Sequence, residues 1–226
     1  MNKKNWKKFV FQFIIFGVVL FVILTFIAML FYPGGTQIDP STIGYSFFLN
    51  YFSDLGNTIS YSGESNILCL ILFSISLTIF SLSCSIFFIA SWRKRERKSD
   101  KILHILGFIF AIISSMSLIG AAFAPSNIFT IEHSLFAASA FLWLFIPYIS
   151  YSILVFRTPD YSNYYAIPFI VFIFALISYM IAYLFGPEGT TVEGLMLQVT
   201  LQKIVMYLWC LSLIIGSLKN LKTKPK

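Results

Sequence analysis

Charge is what this sequence has least of. Asp, Glu, Lys and Arg make up 11% of its 226 residues, against roughly 25% in a soluble domain. A soluble fold this poor in charge could not cover its own surface. The apolar residues, 58% of the chain, stand in long blocks rather than alternating with polar ones. The mean hydropathy of +0.83 agrees. Together these features place the chain in the membrane class and exclude a soluble enzyme domain.

Cysteine and histidine are scarce as well. Cys69, Cys84 and Cys210 all lie in apolar runs without CxxC spacing. They read as small buried hydrophobes, not as disulfide staples or metal knuckles. The two histidines, His104 and His133, fall on opposite predicted faces, too far apart to make a His-rich metal site. No HxxxH, HExxH or GxSxG occurs, so neither a metal nor a cofactor is expected. The net charge of +7 reads as topology, because Lys and Arg collect in short cytoplasmic segments that touch anionic lipid. With no soluble domain to carry a basic surface, nucleic acid is not an expected partner.

What is present is six apolar runs, at about residues 9–32, 67–92, 102–124, 135–156, 166–186 and 195–218. Each reaches the roughly 20 residues that a helix needs to cross a bilayer. The first is longer than a signal-peptide core and has no small-residue cleavage site after it, so it reads as a retained span. The expected fold is all-α: one polytopic transmembrane helical bundle over residues 1–226, with no repeat and no linker.

The connections divide by charge. Lys3, Lys4, Lys7 and Lys8, the segment 92–101, Arg157 in 157–160, and the tail lysines 219, 222, 224 and 226 alternate with segments that carry no Lys or Arg. That alternation predicts both chain ends on the cytoplasmic side; the plasma membrane is the expected location. The segments 33–66, 125–134 and 187–194 hold Asp39, Asp54, Glu64, Glu132, Glu188 and Glu193. Lys203, at the edge of the sixth run, is the one cation near that outer face. Tyr32, Tyr45, Tyr51, Tyr61, Tyr161, Tyr164, Tyr165 and Tyr183 fall near span ends and read as an aromatic belt.

Three stretches could carry function. Segment 33–66 is too long for a plain turn. Pro33-Gly34-Gly35 stops the first helix, and Asp39-Pro40-Ser41-Thr42 resembles a helix start. Residues 43–55, apolar but too short to span, are expected to form a re-entrant or interfacial helix. On it Asn50 and Asp54 would share a face, with Ser53 beside them and Asn57 continuing the line. A polar stripe on a greasy helix must face protein, water or a headgroup; the plainer alternative is a solvated helix end capped by Gly56.

The second stretch is 121–134, where Pro125 ends the third span and Glu132 and His133 open the fourth. Glu132 suits a helix N-terminus, and His133 reads as a headgroup anchor or a titrating group. The third is 193–203, where Gln198 and Gln202 share a face. Lys203 there would either snorkel or pair with Asp54, Glu132 or Glu193; pairing is preferred, since a lone charge at that depth is costly. His104 reads as an interfacial residue at the cytoplasmic end of the third span.

Asn50-Tyr-Phe-Ser-Asp-Leu-Gly-Asn57, the stretch from Gly120 through Pro125 to His133, and Gln202-Lys203 together resemble the prokaryotic membrane-protein family catalogued as domain of unknown function 998. More distantly, the chain resembles the autophagy-modulator-like six-span proteins. The first resemblance implies a six-span bundle with a polar cluster at its outer mouth, carried here by Ser53, Asp54, Gly56, His133 and Lys203. The last of these is Lys where that family more often has Arg, which weakens bidentate carboxylate pairing. Alkaline-ceramidase-like hydrolases also combine Ser, Asp and His, but this chain lacks their paired C-terminal histidines, which argues against metal-dependent hydrolysis.

Three functions fit these features. The favoured one is a non-enzymatic membrane protein whose cluster of Asn50, Ser53, Asp54, Asn57, Glu132, His133, Gln202 and Lys203 meets a lipid headgroup, a protein partner or a second copy of itself. The second is a lipid-modifying hydrolase using Ser53, Asp54 and His133, which requires those groups within hydrogen-bonding reach or one water of each other. The third is a small transporter or channel, which would want charges near the midplane or broken helices.

Overall fold

The computed structural model describes residues 3–91, 97–158 and 162–222, apart from the side chains of residues 3 and 4. The densely basic residues 92–96, together with Asp160, Tyr161, Lys224 and Lys226, lie outside the described residues. Six long helices form: α1 (Lys3–Phe31), α2 (Ile67–Ala90), α3 (Lys98–Phe123), α4 (Thr130–Phe156), α5 (Ile167–Phe185) and α6 (Val192–Lys222). All six are long and apolar enough to cross a bilayer, and the chain is an integral membrane protein. Their bounds follow the apolar runs to within a few residues. An even number of spans returns both chain ends to the same end of the bundle.

The distribution of side chains is the reverse of a soluble protein's. Phe16, Met116 and Phe174 are each more than 60% exposed, whereas Ser76, Ser81, Ser114 and Ser212 are fully buried. In a hydrocarbon surround the apolar face needs no cover, and hydroxyls turn inward to find partners. Ser114 donates to the carbonyl of Ala140 at 2.7 Å, tying α3 to α4, and Ser74 donates to Ala122 at 2.7 Å, tying α2 to α3. Small residues let the helices approach. A Cβ on Gly107 would stand 3.3 Å from Ser150 on α4.

The helices pack as consecutive neighbours, and α1 closes the ring against α6. The α3–α4 seam is the most extensive, and the α4–α5 seam is far thinner. The interior is aromatic. The ring of Trp209 meets that of Phe80 edge-on at 4.9 Å, and Tyr148 lies 4.2 Å from Phe172. The Tyr148 hydroxyl shares a 2.7 Å hydrogen bond with Ser212. At the end bearing the chain termini, Arg157 pairs with Asp100 at 2.9 Å, clasping the end of α4 to the start of α3. His104, near the start of α3, is buried against its neighbours. It lines a cavity of about 20 Å³ with Ser91, Ser150 and Asn220, room for one water.

The helix expected over residues 43–55 is absent. Between α1 and α2 the described backbone holds only a short 3-10 turn, Phe52–Gly56, and two isolated bridges, Gly34 to Ile43 and Ile59 to Ser65. Asp39 does not start a helix. Its carboxylate accepts from the Ser41 amide at 2.9 Å and the Ser41 hydroxyl at 2.7 Å, an Asx turn. Gly35 and Gly44 take left-handed φ values of 81° and 66°, which fold the chain back on itself. Local side-chain acceptors then outcompete the helical ladder: the Ser46 amide goes to Asn50 Oδ1 and the Tyr51 amide to Asp54 Oδ2.

Packing and polar ties contribute unequally to this bundle. Trp209→Ala, which empties the centre, is expected to cost about 3–5 kcal/mol. Tyr148→Phe, which removes one interhelical hydrogen bond, is expected to cost only about 0.6 kcal/mol. Unfolding of both variants in the same detergent checks the ratio; equal losses would reverse this assignment.

Candidate functional site

The folded-back 33–66 segment sits on the ends of the helices and is held there by amides. Asn66, just ahead of α2, donates through Nδ2 toward three carbonyls, those of Asp54 (3.3 Å), Leu55 (3.2 Å) and Asn57 (2.8 Å). Asn50 is fully buried. Its Nδ2 donates to the Gly35 carbonyl at 3.0 Å and to Asp54 Oδ2 at 3.2 Å. Asn57 Oδ1 accepts from the Ser126 hydroxyl at 2.7 Å and the Asn127 amide at 3.2 Å, stitching this segment to the α3–α4 connection. From α6, Gln202 Oε1 accepts the Phe52 amide at 2.9 Å, and Gln198 Oε1 accepts the Tyr51 hydroxyl at 2.7 Å.

Lys203 is buried beneath the same segment. Its ammonium donates to the Asn50 carbonyl and lies over the rings of Tyr45, Phe47 and Phe52 at 5.3, 5.0 and 5.6 Å. This corrects the expected ion pair. No carboxylate lies within salt-bridge distance of Lys203 among the described residues. Glu132 and Glu193 are solvent-facing, and Asp54 reaches Lys203 only through its longer-range field. A carbonyl dipole and three ring faces do what a carboxylate was expected to do.

The Asp54 carboxyl is enclosed. Burial pushes its pKa up to about 7, partly offset by the hydrogen bonds from Asn50 and the Tyr51 amide, by the Lys203 charge and by the Tyr61 hydroxyl. Burial likewise raises the phenols of Tyr45, Tyr51 and Tyr61, so they stay protonated donors. The aromatic belt is therefore only part of their story. The Tyr45 hydroxyl turns inward to the carbonyls of Asn50 and Tyr51, each at 2.9 Å.

A cavity of about 680 Å³ opens beside this assembly, within the size range of small-molecule sites. The 33–66 segment supplies Tyr51, Ser53, Asp54, Asn57 and Tyr61 to its wall. Helix α4 supplies His133, Ala138 and Phe141, α5 supplies Tyr179, Tyr183 and Leu184, and α6 supplies Gln198 and Gln202. It is polar toward the 33–66 segment and apolar between α4 and α5, along the thinnest seam of the ring.

Five of the sequence-predicted residues are thus brought to one wall: Ser53, Asp54, Asn57, His133 and Gln202. Asn50 and Lys203 stand behind it as braces, and Glu132 is outside. The four tyrosines of the wall, the cage around Lys203 and the Asn66 brace were not identified from sequence. Tyr51, Tyr61 and Tyr183 read as belt residues until the chain folds back, and nothing in the local pattern marks Asn66 or Tyr179.

Ser53, Asp54 and His133 share the cavity, but no hydrogen bond joins them. His133 Nδ1 is 2.8 Å from the Ala124 carbonyl. A carbonyl only accepts, so Nδ1 carries a proton in this contact. Asp54 is committed to its own loop. The arrangement is a polar wall, not a nucleophile–base–orienter relay.

Asp54 gives the fold a pH dependence of defined sign. Its folded pKa of about 7 lies above the ordinary 3.8, so between those values the folded state holds a proton that the unfolded state releases. Its contribution to stability is full below about pH 4 and is lost as pH rises through about 7. The thermal midpoint should fall over that window, and Asp54→Asn, which keeps an acceptor for the Tyr51 amide, should flatten the profile. An identical pH profile in wild type and variant would remove Asp54 as the cause.

No family model, curated protein or solved structure matches this chain.

Proposed function

We propose that the protein is a non-enzymatic, amphiphile-binding membrane protein: its cavity receives a lipid headgroup against the 33–66 segment, and the apolar chains run along the α4–α5 seam. The observation that carries this reading is the cavity's two-sided lining. Tyr51, Ser53, Asn57, Gln202 and His133 make one wall, and Ala138, Phe141, Met180 and Leu184 continue it between the helices. A purely polar ligand would leave the apolar half wetted, and a purely apolar one would strip water from the hydrogen-bonding positions of the wall that protein partners leave open, such as the Ser53 hydroxyl. A molecule with both characters matches both halves.

The hydrolase reading is supported less. Ser53 and His133 line one cavity, but a working pair would have to form a bond that is not made here. In orientation, the lysines of the N-terminus and the tail, with Arg157, support cytoplasmic chain ends and a cavity that opens on the far side of the plasma membrane. The resemblance to the 998 family is compatible with this reading and supplies no activity of its own.

Filling the apolar half tests the proposal. Ala138→Trp is expected to lower the amount of lipid that co-purifies in mild detergent, read by native mass spectrometry, while size-exclusion behaviour and thermal midpoint stay near wild type. Undiminished lipid on a well-folded variant would sink the reading. For orientation, a cysteine introduced at the exposed Glu64 should react with an impermeant maleimide on intact cells, in a background lacking the native cysteines. Labelling only after lysis would reverse the topology.

A further inference from the structure

The chemistry of the wall narrows the headgroup. Among the described residues that line the cavity there is no Lys or Arg. Lys203 lies behind the wall, with its ammonium taken up by the Asn50 carbonyl and three aromatic rings. The N-terminus of α4 could attract an anion through its dipole, but Glu132 stands in its first turn. The other acids at this end, Asp39, Glu64, Glu188 and Glu193, add to the same negative field. A phosphate would meet no Lys or Arg among the described residues of the wall, the side chains whose charge-assisted hydrogen bonds usually hold it.

A cationic headgroup is matched no better. Asp54, the one carboxylate on the wall, already accepts from Asn50 Nδ2 and the Tyr51 amide and is contacted by the Tyr61 hydroxyl. Those bonds hold the 33–66 segment closed, and burial favours the neutral acid. An ammonium would have to break them to gain its counter-charge.

What remains on the wall is neutral hydrogen-bonding capacity. The Ser53 hydroxyl can give and take, and the Tyr51 hydroxyl, already donating to Gln198, can still accept; the Gln202 side chain, whose Oε1 holds the Phe52 amide, keeps its Nε2 hydrogens. The aromatic rings of Tyr51, Tyr179 and Tyr183 accompany them in the lining. Hydroxyl-rich rings need this combination: mixed donors and acceptors at their edges, and an apolar plane for their C–H faces. Resting on the amphiphile reading above, we infer that the cavity selects an uncharged, polyhydroxylated headgroup, that of a glycosyl lipid, over the phosphate-bearing headgroups of bulk phospholipids.

The test uses the whole chain, purified in a polyoxyethylene detergent so that no sugar-headed detergent competes. Dioleoyl lipids differing only in headgroup (monoglucosyl diacylglycerol, phosphatidylglycerol and phosphatidylcholine) are titrated, and bound lipid is read by native mass spectrometry. The glucosyl lipid is expected to bind about tenfold more tightly than either phospholipid. Ser53→Val is expected to reduce that preference about fivefold, the scale of one lost hydrogen bond. Should that variant fold poorly, Tyr183→Leu, at a half-exposed position, removes a stacking face and is expected to act in the same direction. Equal binding of all three lipids, or a preference for either phospholipid, overturns the headgroup inference and leaves the amphiphile reading standing. Binding of none of them beyond the level of Ala138→Trp overturns both.

Discussion

Non-helical backbone laid over the ends of apolar helices must find a partner for every amide and carbonyl, and most of the architecture at this end of the bundle answers that requirement. The 33–66 segment has no extended ladder; turns and two isolated bridges pair part of its backbone. Side chains supply further partners: Asn66 gathers three carbonyls, Asn50 bridges Gly35 and Asp54, Gln202 takes the Phe52 amide, and Lys203 takes the Asn50 carbonyl. Because two of these braces come from α6 and one from the start of α2, the position of the segment fixes the wall of the cavity. The polar residues that define the candidate site are therefore largely the same ones that hold the loop shut.

This double use explains what was legible in the sequence and what was not. The six helices follow from apolar runs whose length matches a bilayer, a signal that depends on no distant contact. The polar residues at 50, 54, 57, 198, 202 and 203 stand out by being polar in greasy surroundings. Their geometry does not follow from spacing. Asn50 and Asp54 meet at 3.2 Å, as a helical turn would bring them, yet no α-helix lies between them. The left-handed glycines and the Asx turn at Asp39 redirected the chain, and the partners that made this affordable lie some 150 residues away on α6. Local pattern carries no information about them. Glu132 illustrates the converse: its position at the mouth was readable, but its solvent-facing direction was not.

The Lys203 environment bears on how a membrane bundle keeps a cation without a salt bridge. Three ring faces and a carbonyl distribute the compensation over neutral groups, so no partner carboxylate has to be desolvated with it. Asp54, freed from pairing, is enclosed by amide and phenol donors instead. The two groups sense each other at a distance, and each has its own neutral shell. This separation leaves the cavity wall without a fixed positive charge, the feature on which the headgroup argument turns.

The thin α4–α5 seam has a consequence of its own. On the amphiphile reading proposed above, a cavity lined along this seam would be filled sideways, from within the sheet of lipid, without its ligand ever crossing water. Occupancy of such a site tracks the ligand's mole fraction in one leaflet rather than any aqueous concentration. Arrival is by two-dimensional diffusion among neighbouring lipids. The protein would then report on the composition of its surroundings, and even a weak intrinsic affinity would suffice where the ligand is a major component of that leaflet.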